Sequence, residues 1–279
     1  MSQAKKIAKE SKSSFYHAFN LLPKEKSAAM NTVYAFCRKT DDIVDENSDS
    51  DEIKLINLIN WKNDFEKALN GSSGNPLLAE VAAAIRKYSI PVEPFFDLIK
   101  GMEMDLTKSR YQTFDELELY CYRAASTVGL MSIEIFGYKN EKAKQFATDL
   151  GKAMQLTNIL RDVYTDSKIG RIYLPLEDLK KFNYTEEDVF NRVYNDNFYL
   201  LMKYEADRAR FFFNNADRNL MFEDKQSMFA ARAMQHIYFN LLNKLEKQKF
   251  RIFEEKINVS KAEKLFIALG VWAKYKFIY

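Results

Sequence analysis

The sequence predicts an all-α protein, one bundle of long helices with its polar, chemistry-bearing residues turned inward. Three observations carry this. Only 5 Pro and 8 Gly punctuate 279 residues, so chain reversals are few and helices can run long. Apolar residues recur at helical spacing through most of the chain. No composition shift, internal repeat or low-complexity tract marks a boundary, so residues 1–279 read as a single domain.

The segments follow in order. Helical periodicity runs through Lys24–Asp45 and Asp51–Asn70. The tract from Gly71 to Pro76 (Gly-Ser-Ser-Gly-Asn-Pro) is the clearest loop. Pro76–Tyr88 resumes the pattern until Ser89-Ile90-Pro91 breaks it, and Pro91–Leu106, Phe114–Phe136 and Glu141–Val163 continue it. Ser167 to Pro175 is a further break. Asp196–Phe222 precedes the widest stripe, in Asp224–Lys249. There Ala230, Met234, Ile237, Leu241 and Leu245 make one apolar face, and Met228, Ala231, Tyr238 and Leu242 broaden it into a core-facing surface.

Composition narrows the function. The 42 basic and 39 acidic residues are interleaved, for a net charge of +3, which leaves no nucleic-acid footprint. Cys37 and Cys121 fit neither a metal-ligand spacing nor a redox pair, as expected of a reduced, cytoplasmic protein. Met1 to Lys12 is polar and lysine-rich, unlike a secretory signal. The longest near-apolar stretch, Leu265 to Ala273, is far below the roughly 18 residues of a spanning helix. Any membrane contact is therefore expected to be peripheral. The phosphate-binding glycine loops G-x-x-x-x-G-K-[ST] and G-x-G-x-x-G are absent, as is a G-x-S-x-G elbow. His17 and His236 lie in separate regions.

Two acidic clusters remain. The first is Arg38-Lys39-Thr40-Asp41-Asp42-Ile43-Val44-Asp45-Glu46. The second runs from Gln155 to Asp166 and holds Asn158, Arg161, Asp162 and Asp166 among Leu156, Ile159, Leu160 and Val163. Residues four apart share a helix face. Asp41 and Asp45 therefore point one way, as do Asn158, Asp162 and Asp166. A lone run of this kind usually marks a solvated helix end. Two arrays of matched spacing inside apolar helices, each with a neighbouring arginine, point instead to a negative cleft filled by cations. Hard oxygen ligands with room for water and phosphate suit Mg²⁺. Arg38 can bind phosphate oxygens bidentately, and Arg161 and Arg171 stand beside the second array. The expectation is a site that binds diphosphate through magnesium. The run Ala124-Ala125-Ser126-Thr127-Val128-Gly129 offers close approach to either a ligand or a neighbouring helix.

At these residues the chain resembles the squalene/phytoene synthase family, the head-to-head trans-prenyl transferases. The resemblance rests on Ser13-Ser14-Phe15-Tyr16, Tyr34 to Asp45, Tyr120-Cys121-Tyr122, Gln155 to Val163 and Gly170-Arg171-Ile172-Tyr173-Leu174-Pro175. It implies a single-domain isoprenoid-synthase helical bundle with a central apolar cavity. It also implies isoprenyl diphosphate substrates and a role in isoprenoid (hopanoid, sterol or carotenoid) biosynthesis. By the resemblance, Asp41, Asp45, Asn158, Asp162 and Asp166 hold magnesium. Arg38, Arg161, Arg171, Ser13, Ser14 and Phe15 contact diphosphate. Tyr122, Gln155, Tyr173 and Tyr238 line the catalytic cavity. Two departures stand out. Thr165, after the bulky Tyr164, occupies a place that is often acidic, and Arg251 and Lys256 compete for a basic role after the last long helix.

The run Gly101 to Leu106 and the run Ser126 to Tyr138 look most like bacterial presqualene diphosphate synthases. They favour two farnesyl diphosphates and a C30 product. Phytoene from two geranylgeranyl diphosphates is the alternative, and any use of NADPH stays open. From other classes, a non-catalytic scaffold of the same fold has no need of intact aspartate pairs. Head-to-tail prenyl transferases lack the Asn158 to Asp162 arrangement.

Overall fold

The computed structural model describes residues 4, 6, 7, 19–45 and 49–277, the side chains of 276 and 277 excepted. Twelve α-helices of five or more residues occur among residues 24–277. They are α1 Lys24–Asp45, α2 Asp51–Leu69, α3 Pro76–Tyr88, α4 Glu93–Thr107, α5 Phe114–Cys121 and α6 Thr127–Phe136. After them come α7 Lys142–Ser167, α8 Leu176–Lys181, α9 Glu186–Phe190, α10 Asp196–Asn219, α11 Phe229–Lys247 and α12 Lys261–Phe277. The only extended pairing among the described residues is an isolated parallel bridge between Arg110 and Ile172.

Local chemistry sets the ends. Ser50 accepts from the Ile53 amide to start α2. Asn75 Oδ1 accepts from the Leu77 and Leu78 amides with Pro76 as the first helical residue of α3. Thr113 and Asn195 cap α5 and α10 in the same way. Each such cap satisfies amides that have no partner within the helix and is worth about 1 kcal/mol.

Phe36, Phe65 and Phe95 are fully buried and meet with ring centroids 5.0 to 5.3 Å apart, locking α1 to α2 and α4. The Trp61 indole N–H donates to Thr40 Oγ1 at 2.9 Å. Thr40 is thereby fixed toward α2, and its neighbour Asp41 is left facing the bundle interior. On the other side α7 packs along α10 and is crossed by the segment 122–126. A methyl group on Gly151 would stand 2.4 Å from Ser126 Cα, and one on Gly129 would stand 2.9 Å from the Ala147 carbonyl. Ser126 Oγ then donates to the Thr148 carbonyl at 2.6 Å.

Four details differ from the sequence reading. Phe114–Phe136 is not one helix, because a π-helical turn at Tyr122–Ser126 divides it. The last wide stripe starts at Phe229, after a 3₁₀ turn at Phe222–Asp224. The short α8 and α9 follow the break at Pro175, and five or six residues are too few to display a period. Helix α12 was hidden because residues 265–273 are apolar on every side, which masks the 3.6-residue rhythm.

Candidate active site

Helices α1, α4, α6, α7 and α11 surround a cavity of about 790 Å³. Asp41 and Asp45 reach it from α1, and Gln155, Asn158, Asp162 and Asp166 from α7. The two acidic arrays, more than a hundred residues apart in sequence, thus share one wall-to-wall space. The lining changes character along α7. Phe146 and Leu150 belong to it near the start of the helix, and Asp162 and Asp166 near the end. Phe146 and Asp162 are 16 residues apart, about 24 Å at the α-helical rise. One end is therefore charged and the other apolar, with Ile133 and Phe136 of α6 at the apolar end.

The charged end carries excess negative charge. Burial and then the charge of Asp45 push the Asp41 carboxyl up to about 7, while Arg38 pulls it down. Burial and then Asp162 push Asp166 up to about 7 against the pull of Arg171 and Arg161. The arginines are already engaged. Arg38 donates to Asp41 at 2.8 Å and to Asp42 at 2.7 Å. Arg161 binds both oxygens of Asp162. Asn158 donates to Gln155 Oε1 at 3.4 Å. Its own Oδ1 is buried, and the nearby Tyr238 phenol makes no hydrogen bond of standard geometry to it. An unpartnered buried amide oxygen beside carboxylates that resist ionisation is a donor set whose chemistry fits a hard cation. Among the described residues no three His, Cys, Asp or Glu side chains converge tightly enough to cage an ion unaided.

The other expected residues divide. Gln155, Tyr173 and Tyr238 line the cavity. Arg171 does not; its Nη2 donates to the Asp105 carbonyl at 3.0 Å, beside the charged end. Ser13, Ser14 and Phe15 lie outside the described residues. Tyr122 requires a correction. It opens the π turn and feels Asp97 and Lys100 rather than either acidic array. The residue that faces inward is Tyr120. Two positions apart on a helix are about 200° apart, so only one of the pair can look into the bundle. The two candidates for the C-terminal basic role lie in different surroundings. Lys256 lines the cavity with Nζ 3.9 Å from Asp162. Arg251 is tied to Glu254 at 2.6 Å and lies over Tyr194.

Sequence reasoning gave no role to Asp105. Its carboxylate accepts from the Tyr173 hydroxyl at 2.7 Å and the Tyr120 hydroxyl at 3.1 Å. The signal was present, because Leu98 and Met102 line the cavity and Asp105 follows them at i+7 and i+3 on α4. The contact itself needs the bridge between residues 109–112 and 169–177. There the Ile172 amide donates to the Ser109 carbonyl at 3.1 Å and the Leu176 amide to the Tyr111 carbonyl at 2.9 Å.

Comparison with known proteins agrees with this geometry. The family model "Squalene/phytoene synthase" matches residues 8–263. A 15-cis-phytoene synthase of Synechocystis sp. is 36% identical over 272 residues, covering 93% of this chain and 80% of the relative. One from Synechococcus elongatus is 35% identical over 263 residues, covering 90% and 85%. Among solved structures, a dehydrosqualene synthase in complex with ligand superposes with a TM-score of 0.85 at 29% identity, covering 98% of this chain and 95% of that one. The chain belongs to the squalene/phytoene synthase family of prenyltransferases, which condense prenyl diphosphates head to head.

Proposed function

We propose that this enzyme condenses two molecules of geranylgeranyl diphosphate to phytoene, a step of carotenoid biosynthesis. The observation that carries the product is the run of phytoene synthases at 35–37% identity over nine-tenths or more of the chain. This reading replaces the C30 product favoured by the motifs at Gly101 to Leu106 and Ser126 to Tyr138. A cavity charged at one end and apolar at the other, with some 24 Å of α7 between Phe146 and Asp162, fits a diphosphate with a long isoprenoid tail.

In this reading Asp41 and Asp45 on one wall, and Asn158, Asp162 and Asp166 on the other, are the residues that would hold Mg²⁺. The bound metal supplies charge neutralisation for the leaving diphosphate. Arg38, Arg161 and Lys256 are the protein's cations at the same end and add charge-assisted hydrogen bonds to it. Gln155 orients Asn158. The apolar wall excludes water, which would otherwise quench an allylic cation. Tyr120, Tyr173 and Tyr238 present aromatic rings to the cavity, each able to stabilise a nearby positive charge by roughly 0.5 to 2 kcal/mol. Ser13, Ser14, Phe15 and Arg171 are assigned to diphosphate contact on the motif match alone.

The test is incubation of the purified protein with equal concentrations of farnesyl and geranylgeranyl diphosphate and Mg²⁺, with and without NADPH, read by mass spectrometry. Phytoene formation neither consumes nor releases reducing equivalents, so the C40 hydrocarbon is expected in both arms. A C30 product alone would restore the shorter-chain reading and leave the head-to-head chemistry standing. Among the described residues no helix is long and apolar enough to cross a membrane. We place the enzyme in the cytoplasm with peripheral membrane contact, to be released by carbonate rather than by detergent alone.

A further inference from the structure

Behind the reactive end of the cavity lies a compact group whose carboxylate, Asp105, the reading above does not use. Tyr120 and Tyr173 line the cavity, stacked with ring centroids 5.1 Å apart and planes 27° apart. Tyr111, fully buried, backs both at 5.5 and 5.8 Å. Asp105 sits at the hydroxyl edge of the stack, taking Tyr173 on Oδ1 and Tyr120 on Oδ2. The two phenol oxygens are 3.5 Å apart. A phenol has one proton to give. The shorter, charge-assisted bond takes it, so both protons are committed to Asp105 rather than to each other.

We propose that Asp105 is a positioning residue of the condensation: by capturing both phenol protons it fixes Tyr120 and Tyr173 as an electron-rich wall that faces the carbocation. Three consequences of the geometry support this. Neither phenol retains a proton for the departing diphosphate. Both residues line the cavity, and an aromatic ring whose hydroxyl proton is held elsewhere offers the polarity that favours a cation. A hydrogen bond to a carboxylate also pushes electron density into the ring, so Asp105 acts through the tyrosines. Arg171, bound to the Asp105 carbonyl, holds the loop after α7 in place and so keeps Tyr173 within reach. Burial holds the Asp105 carboxyl above the usual carboxylate range, and the Tyr173 hydrogen bond, Arg171 and the Tyr120 hydrogen bond offset part of that rise.

The inference rests on the head-to-head reading but not on chain length. The test therefore measures pyrophosphate release from whichever prenyl diphosphate the wild-type chain converts. Asp105→Asn keeps the shape and removes the charge. The expected result is a fall in kcat of about tenfold or more, with KM and the Mg²⁺ concentration for half activity changed by less than about twofold. Tyr173→Phe is expected to slow the reaction less. The double variant should be no slower than Asp105→Asn alone, because both changes cut the same link. A purely structural role would lower the melting temperature and leave the two changes additive.

A spectroscopic readout stands apart from turnover. Asp105→Asn should shift the near-ultraviolet tyrosine difference spectrum, and the shift should vanish when Tyr120 and Tyr173 are both Phe. An unchanged kcat, full additivity, or a tenfold rise in the Mg²⁺ requirement would each overturn the proposal, the last by making Asp105 a metal ligand. If wild type releases pyrophosphate from neither substrate while the spectral shift is present, the condensation reading fails and the Asp105–tyrosine link stands.

Discussion

Asp162 carries more of the charged end than any other carboxylate. It binds Arg161 through both oxygens and has Lys256 within 4 Å, and its charge helps keep Asp166 protonated near neutral pH. Removing that charge while keeping the shape, as in Asp162→Asn, frees two cations and deletes one proposed metal ligand. Asp41→Asn does the corresponding thing on the opposite wall, where Asp41 and Asp45 face each other's charge at one turn's spacing. Both variants are expected to lose turnover by two orders of magnitude or more, about 2.7 kcal/mol of barrier. The metal-free melting temperature should stay within a few degrees or rise, because each change relieves carboxylate repulsion. Steady-state rates and calorimetry on the same samples check this, and near-normal turnover in both would remove the carboxylates from the mechanism. At this scale the sequence was legible where a residue acts through its own helix. Asp41 with Asp45, and Asn158 with Asp162 and Asp166, follow from a period of four. The contacts of Asp105 were not legible, because its partners arrive from α5 and from the loop after α7. Nor was the choice between Tyr120 and Tyr122, since a motif gives the pair and only the helix rotation picks the member.

Among the elements, α7 matters most, because it is both the second acidic wall of the cavity and the central packing surface. Its crossing with the 122–126 turn tolerates no side chain at Gly151, where a methyl group would meet backbone atoms at 2.4 and 2.6 Å. Gly151→Ala must therefore separate the two elements. Overpacking of this kind costs about 1–3 kcal/mol or more, and a clash with backbone belongs at the upper end. Chemical denaturation should show the loss, and an unchanged midpoint would contradict the crossing. The run Ala124 to Gly129 left open whether its small residues admit a helix or a ligand. Ser126 and Gly129 pack against α7, and Ala124, Ala125 and Val128 line the cavity.

The packing of α10 on α8 holds a different device. Arg208 serves two buried carboxylates, Asp178 and Glu205. One positive charge cannot satisfy both, and burial pushes Glu205 up to about 8. A raised carboxyl binds its proton in the folded state, so its contribution to stability is complete below about 4.5, the ordinary value. It is lost as pH rises through about 8. Glu205→Gln supplies the neutral form at every pH. Its melting temperature should therefore fall less than that of wild type between pH 6 and pH 9. Parallel pH profiles would show that Glu205 ionises normally in the fold.

At the scale of the whole molecule, chain length is decided by how far the apolar end of one shared cavity extends. That was not legible in the sequence. The floor is built from α6, the first turns of α7 and α11, so no single segment records its depth. The motifs at Gly101 to Leu106 and Ser126 to Tyr138 pointed to C30 for lack of this information, and the relatives point to C40. Val128 offers a direct handle, because it lies on α6 with its side chain in the lining and is only partly buried by protein. A Val128→Phe side chain would extend into the cavity without first clashing with a neighbouring helix. It should exclude the longer tail more than the shorter one. A misfit of even one methylene in an apolar pocket is worth about 1–3 kcal/mol, or roughly 10- to 200-fold in specificity. The geranylgeranyl-to-farnesyl ratio of kcat/KM should thus fall by at least about tenfold, with the Mg²⁺ requirement unchanged because the charged end is untouched. Competition between the two diphosphates, with products resolved by mass spectrometry, measures that ratio directly. A ratio that stays constant while both rates fall would mean that Val128 borders a part of the cavity common to both tails, and would move the length-setting wall deeper, toward Phe136 and Phe146.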